Sequence, residues 1–350
     1  VIPTPLAPST PDELADAVRS NAHVLPIGAR TKPRLSQVDS GTTLISTRAL
    51  RGILEYDPSE FTFTALAGTP LRDIAAALAE RGQYLPFDPL LVEAGATLGG
   101  TVASGLSGPG RFRYGGLRDF ILGVRFIDGT GQLLRLGGKV VKNAAGFDLP
   151  KFLVGSLGRY GILAELTFKV FPRAASFRTL RIPCESSAEV ARTLQQLGRT
   201  QWEFDALDAT FPENAIYARL GAPAAALDAL TAEIQARFPT ATVLPEAEAT
   251  ASWKSVSEFH WDHPNGSLIK IALTTARLPE LCATLAPDTR LHVSAGGNVA
   301  YVSAPATAPD LAAFSALTLR GDAPLFPGTP PLDLPAVKAA LDPQHRFPSF

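Results

Sequence analysis

Residues 97–134 read TLGGTVASGLSGPGRFRYGGLRDFILGVRFIDGTGQLL, and residues 142–172 read KNAAGFDLPKFLVGSLGRYGILAELTFKVFP. Three glycine-rich turns alternate here with short apolar runs, and Arg, Lys, Asn and Asp stand at the turns. Glycine at this density makes tight turns or clears side chains from a path that another molecule occupies. The regular Val, Ile, Leu and Phe flanks exclude a disordered linker. The stretch predicts a framework that embraces a long, flat ligand.

Upstream, Thr10-Pro11-Asp12-Glu13 is a capping box with Pro at the first helical position, opening a helix to about Arg19. Strands are expected over 23–27, 42–46, 54–56 and 61–65. A helix from Thr69-Pro70 to Arg81 should bury Leu71, Ile74, Ala75 and Leu78 and stop at Gly82. Thr97 should cap a short helix, LGGTVAS. Residues 120–128 and 133–136 read as a hairpin around Asp128-Gly129-Thr130-Gly131, 148–154 as a helix, and 162–171 as a strand stopped by Pro172.

Beyond Pro172 glycine thins out and strands alternate with helices. Strands are expected over 178–182, 203–206, 216–220, 268–273, 290–294 and 299–303. Helices are expected over 188–197, 224–237, 278–285 and 307–317, then a linker over 324–331 and a last helix over 334–341. This pattern predicts an antiparallel sheet with helices on one face. The expected division is 1–172, 173–320, and a C-terminal segment 321–350 returning toward the first domain.

The 350 residues suffice for two domains with sizeable cores. A net charge of −1 gives no electrostatic footprint for nucleic acid or for a basic membrane anchor. Cys184 and Cys282 are far apart and lack metal-ligand spacing, so they are expected as free thiols. No apolar run approaches the roughly 18 residues of a bilayer span. The first residues show no basic region ahead of a hydrophobic core, so no secretory signal is expected and the cytoplasm is the expected location.

The ordered motifs carry a resemblance. They are Gly68-Thr69 with its helix, Leu85-Pro86-Phe87-Asp88-Pro89, Thr97-Leu98-Gly99-Gly100-Thr101, Arg113-Tyr114-Gly115, Lys142-Asn143 with Gly146-Phe147-Asp148-Leu149, Gly155-Ser156-Leu157-Gly158 and Gly161-Ile162. Over about residues 10–172 the chain resembles the FAD-binding domain of the vanillyl-alcohol oxidase / p-cresol methylhydroxylase (PCMH) superfamily. Within it, the wording KNAAGFDLPKFLVGSLG, the chain length and the short cap resemble the FAD-binding E-type subunits of glycolate oxidases. The implied fold is α+β: a PCMH-type FAD-binding domain of two subdomains, then an α+β cap domain with an antiparallel sheet.

The resemblance also implies a binding set. Gly28, Ala29, Arg30, Thr31 and Lys32 would cover the pyrophosphate. Thr97, Leu98, Gly99, Gly100, Ala103, Ser104 and Gly105 would run beside it toward the flavin, with Pro86 in the same framework. Arg113, Tyr114 and Gly115 would lie near the isoalloxazine and Lys142 nearby, while Gly161 and Ile162 would turn main-chain groups to the adenine side. A pyrophosphate needs backbone N–H groups and no blocking side chains. Ala29 and Arg30 stand where relatives carry glycines, so Arg30 must adopt a glycine-like backbone, its charge offsetting this by pairing with phosphate. No His lies in this loop and no Cys near the flavin-facing turns, so FAD should be held noncovalently.

Oxidation of a 2-hydroxy acid needs a base and a cation for the carboxylate. The candidates are His260, His263 and Lys270, with Arg219 and His292 beside them. No metal is expected, because Gly296 and Ala300 replace the acidic residue and second His of the metal-binding relatives. Three readings stay open. The first is an FAD subunit of a glycolate oxidase complex, with a larger flavoprotein subunit and an iron–sulfur subunit as partners and membrane association only through them. The others are a stand-alone FAD dehydrogenase of small 2-hydroxy acids and a subunit that has lost its flavin.

Overall fold

A computed structural model describes residues 4–38, 40–138, 149–305, 309–332 and 334–350. The chain divides into two compact units. The first comprises Val1–Ser107, Gly116–Pro172 and Pro331–Phe350, and the second Gly108–Gly115 and Arg173–Pro330. Gly108–Gly115, expected in the first domain, therefore belongs to the second unit, as do residues 321–330.

In the first unit the helix Pro11–Arg19 begins where Thr10 Oγ1 accepts from the Glu13 amide at 3.2 Å. The return bond reaches one residue further than in a standard box: Glu13 accepts from the Ser9 amide at 2.7 Å. This helix buries Leu14, Ala15 and Val18 against Val24, Ile45, Ile127 and Ile162. Strands Val24–Ile27 and Thr43–Ser46 form a parallel pair. A separate antiparallel sheet orders its strands as Ile53–Asp57, Thr62–Leu66, Ile162–Lys169, Ile121–Ile127 and Leu133–Gly137. Phe63 stacks on Phe168 across it at 5.9 Å.

Three local expectations change. Ala75 faces solvent, so the helix Leu71–Ala79 buries only Leu71, Ile74 and Leu78. The last long strand ends at Lys169, and Pro172 is not a stop but part of a second pairing, Phe171–Pro172 with Gln83–Tyr84. The helix expected over 148–154 is a single turn, Leu149–Phe152 among the described residues, and Asp148 lies outside them.

The second unit is built on a nine-stranded sheet. Its order is Thr242–Val243, Ser176–Pro183, Ala215–Ala222, Phe204–Phe211, Arg290–Ser294, Val299–Ala304, Ser267–Ala272, Leu311–Arg320 and Gly328–Thr329. All pairings are antiparallel except the last. The stretch read as a helix over 307–317 is a strand, Leu311–Arg320, in its described part. Ala and Leu are strong helix formers, but propensity yields to tertiary context, and here the sheet overrides it. Ile269 pairs with Thr318 and Ile271 with Ala316, which buries Phe314, Ala316 and Thr318 on alternate positions. The stretch read as a linker over 324–331 adds Gly328–Thr329 to the same sheet, with no room for a Cβ on Gly328 beside the Phe314 carbonyl. A helix that was not expected, Glu246–Glu258, buries none of its residues and so carries no apolar stripe to read.

Candidate cofactor site

A cleft in the first unit opens where Val24–Ile27 runs into the loop 28–32 and faces the helix Leu98–Ser104 and the turn 156–163. It encloses about 720 Å³ of open space, solvent at its mouth included. Of the residues named from sequence, Gly28, Ala29, Arg30, Thr31, Lys32, Thr97, Gly99, Gly100, Ala103, Ser104, Gly161 and Ile162 line it. The structure adds Ile27, Thr47, Ala67, Ser156, Leu157 and Gly158, among others. Gly155-Ser156-Leu157-Gly158 was visible as a motif, but nothing in its wording assigns it to a cleft wall.

The other named residues stand elsewhere. Leu98 is buried in the core, and Pro86 is buried outside the cleft lining. Gly105 closes the helix in the left-handed region at φ +62°, where the backbone of Gly155 leaves no room for a side chain. Arg113, Tyr114 and Gly115 belong to the second unit. There Arg113 donates to the Glu203 carboxylate at 2.6 Å and lies over the Tyr114 ring at 5.3 Å. Lys142 lies outside the described residues, as do Asn143, Gly146 and Phe147.

Two close approaches explain the glycines. A Cβ on Gly28 would sit 2.5 Å from Thr97 Oγ1, the atom that caps the Leu98–Ser104 helix by accepting from the Gly100 amide. A Cβ on Gly99 would sit 2.8 Å from that of Ala67, while the Gly99 amide donates to the Ala67 carbonyl at 2.7 Å. The loop and helix are held together by missing side chains. Gly28→Val is therefore expected to open the loop from the helix and to lower the melting temperature of the free protein by several degrees; an unchanged melting curve contradicts this packing.

The cations of the loop fit an anionic guest. Arg30 adopts φ +56°, the left-handed backbone expected of it. Lys32 is 8% exposed, and its Nζ donates to Thr31 Oγ1 at 3.1 Å. Among the described residues no carboxylate pairs with it. Burial alone pulls its pKa down to about 8. A buried ammonium without a counter-charge is costly, and a bound phosphate would supply that charge.

The second unit holds the catalytic candidates. His260 is exposed. His263 contacts the Asp288 carbonyl through Nε2 at 3.0 Å, and its amide donates to Ser303 Oγ, so it holds a loop. Arg219 pairs with buried Asp205 at 2.5 Å and lies over the rings of Trp253 and Phe177. Lys270 is half-buried; burial first, then Arg111, lower its pKa to about 8. Sequence reading named His292 but missed the buried carboxylate it meets. Asp208, fully buried, accepts from His292 Nε2 at 2.8 Å, Ser294 Oγ at 2.9 Å and the Ala295 amide at 3.2 Å. Burial, then Asp208, pushes the Tyr301 phenol up. Among the described residues no group of three His, Cys, Asp or Glu side chains is placed to hold a metal ion.

Residues 5–137 match the family described as FAD binding domain. Over 215 residues the chain is 39% identical to the glycolate oxidase subunit GlcE of Escherichia coli (strain K12), covering 60% of this chain and 59% of that one. It is 29% identical over 271 residues to a D-2-hydroxyglutarate dehydrogenase of Xanthomonas citri pv. viticola, covering 74% of this chain and 56% of that one. An alkyldihydroxyacetonephosphate synthase structure shares the fold, with a TM-score of 0.64 over 85% of this chain and 66% of that one at 18% identity. The chain spans less than two thirds of the length of these curated relatives. No helix among the described residues is long and apolar enough to cross a membrane. Residues 5–137 are thus similar to an FAD binding domain, and glycine turns within and beyond that stretch build this cleft.

Proposed function

We propose that the first unit holds FAD noncovalently and that the chain serves as the FAD-binding subunit of a complex that oxidises a small 2-hydroxy acid, glycolate first among them. The observation that carries this reading is the buried, uncompensated Lys32 beside left-handed Arg30 in a cleft with space for a diphosphate. Among the described residues no Cys or His lines the cleft, which supports a noncovalent guest. When bound, FAD would accept the hydride of the hydroxy acid. The loop residues Gly28–Lys32 would hold its diphosphate, and Gly161 and Ile162 would carry main-chain groups along it.

Similarity to GlcE supports the assignment to a glycolate oxidase complex. Two cysteines are too few for the four thiolates of a common cluster, so onward electron transfer calls for an iron–sulfur partner beside a larger flavoprotein subunit. In this reading the chain works in the cytoplasm and reaches the inner membrane only through its partners. Purified protein should be yellow, or become so with FAD, and acid should release all its flavin. A chain that stays colourless after FAD is added and the excess removed, alone and with its complex, overturns the proposal.

A second reading, a dehydrogenase active by itself, draws on one observation. Burial, then the neighbouring Arg111 cation, lowers the Lys270 pKa in the second unit. A carboxylate would settle between them. Lys270→Met should then raise KM for glycolate or D-lactate about tenfold or more, the cost of one charge-assisted hydrogen bond, with a smaller effect on kcat. Steady-state rates of the isolated chain with an artificial acceptor check this, and an unchanged KM removes Lys270 from the substrate site.

A further inference from the structure

The cleft wall formed by residues 156–161 is a strained turn. Leu157 has φ +51°, and Gly155, Gly158 and Gly161 have φ of +82°, +71° and +150°. Such a conformation persists only where its surroundings over-determine it. On one side the amides of Gly155 and Leu157 donate to the carbonyls of Val102 and Ala103, both at 2.9 Å. On another, Pro26 lies so close that a Cβ on Gly158 would come within 2.6 Å of its ring. The third support comes from far along the chain. Lys338, on the helix Pro335–Leu341 and 8% exposed, donates from Nζ to the Arg159 carbonyl at 2.7 Å.

The same ammonium donates to the Phe347 carbonyl at 2.8 Å and pairs with Asp342 at 2.8 Å. Its three N–H groups make these three short contacts, and the Pro348 carbonyl lies further off at 3.3 Å. Asp342, fully buried, accepts in turn from the amides of Arg346 at 2.8 Å and Phe347 at 2.9 Å. Phe350 completes the contact by packing on Tyr160 at 5.8 Å. The segment 335–350 is thus folded around one ammonium whose remaining bond is given to the cleft wall.

We infer that Lys338 is a positioning residue for the cofactor cleft: its bond to the Arg159 carbonyl holds the turn 156–161 in the shape that receives the guest. The role rests on the reading of this cleft as the FAD site. Asp342 supplies the contrast, because it anchors the segment without touching the wall.

The test compares Lys338→Met and Asp342→Asn in the full chain, by FAD titration and by amide hydrogen exchange. Both variants should melt earlier. Lys338→Met should weaken FAD binding about tenfold or more and speed exchange over 156–161, whereas Asp342→Asn should leave FAD affinity within about threefold and that exchange unchanged. Equal loss of affinity in both variants, or wild-type affinity in Lys338→Met, overturns the inference and leaves Lys338 a stability residue. If the wild type binds no FAD, the cofactor reading fails by itself. Exchange over 156–161 then decides the tether: acceleration in Lys338→Met alone supports it, and no acceleration overturns it.

Discussion

Lys32→Met is expected to weaken FAD binding by about 10- to 100-fold while making the free protein more stable at pH 7. The two effects have opposite sign because they come from the same buried charge. A charge-assisted bond to phosphate contributes about 1.5–3 kcal/mol, which the methionine cannot replace. Among the described residues the ammonium has only Thr31 Oγ1 beside it, and burial lowers its pKa from 10.5 to about 8. At about 1.4 kcal/mol per pH unit, holding it charged in the fold costs roughly 3 kcal/mol. Below pH 8 this cost is present in full. It shrinks as pH rises from 8 and is gone above 10.5, where the lysine is neutral in the folded and unfolded chain alike.

Bound diphosphate restores the ammonium, so binding above pH 8 takes up a proton. Affinity should then fall by up to tenfold per pH unit until the bound-state pKa is reached. Denaturant melts of the free wild type and variant, with FAD titrations at pH 7 and pH 9, check both predictions. A variant that binds FAD like the wild type removes Lys32 from the phosphate site.

Asp208→Ala is expected to destabilise the second unit by about 3–5 kcal/mol, the range for removing one partner of a buried polar pair. Three donors lose their acceptor at once: His292 Nε2, Ser294 Oγ and the Ala295 amide. Asp208 is fully buried and His292 is 2% exposed, so the donors left behind face the protein interior rather than bulk solvent. The Ala295 amide opens a turn whose next residues, Gly296 and Gly297, are left-handed at φ +64° and +99°, so the loss also loosens that turn. A melting transition lowered by about 10 °C or more is the expected reading. An unchanged transition means the network is not structural. Asp208→Asn keeps an acceptor and should recover part of the loss.

Much of the first unit was legible because its determinants are local. Thr10 and Pro11 begin a helix wherever they stand, and Thr97 caps LGGTVAS through its own neighbour Gly100. The left-handed backbone of Arg30 was legible too, from a side chain standing where glycine is usual. The ion pair of Arg113 was not legible, for a physical reason. A motif records that an arginine follows a glycine turn, but not that a carboxylate 90 residues on, Glu203, takes its guanidinium. Leu311–Arg320 misled in the same way. Its Ala and Leu favour a helix, and the neighbouring strand Ser267–Ala272 decides against it.

By itself the sequence determined the order of turns, caps and short apolar runs that makes an FAD-binding framework, since glycine freedom and capping bonds act within a few residues. Tertiary structure alone decided which charges lie buried. It buried Lys32 with no carboxylate partner among the described residues, and it brought Lys338 to the carbonyl of Arg159 across 179 positions of chain. Burial and long-range pairing are set by what packs around a residue, and no neighbour in sequence reports it.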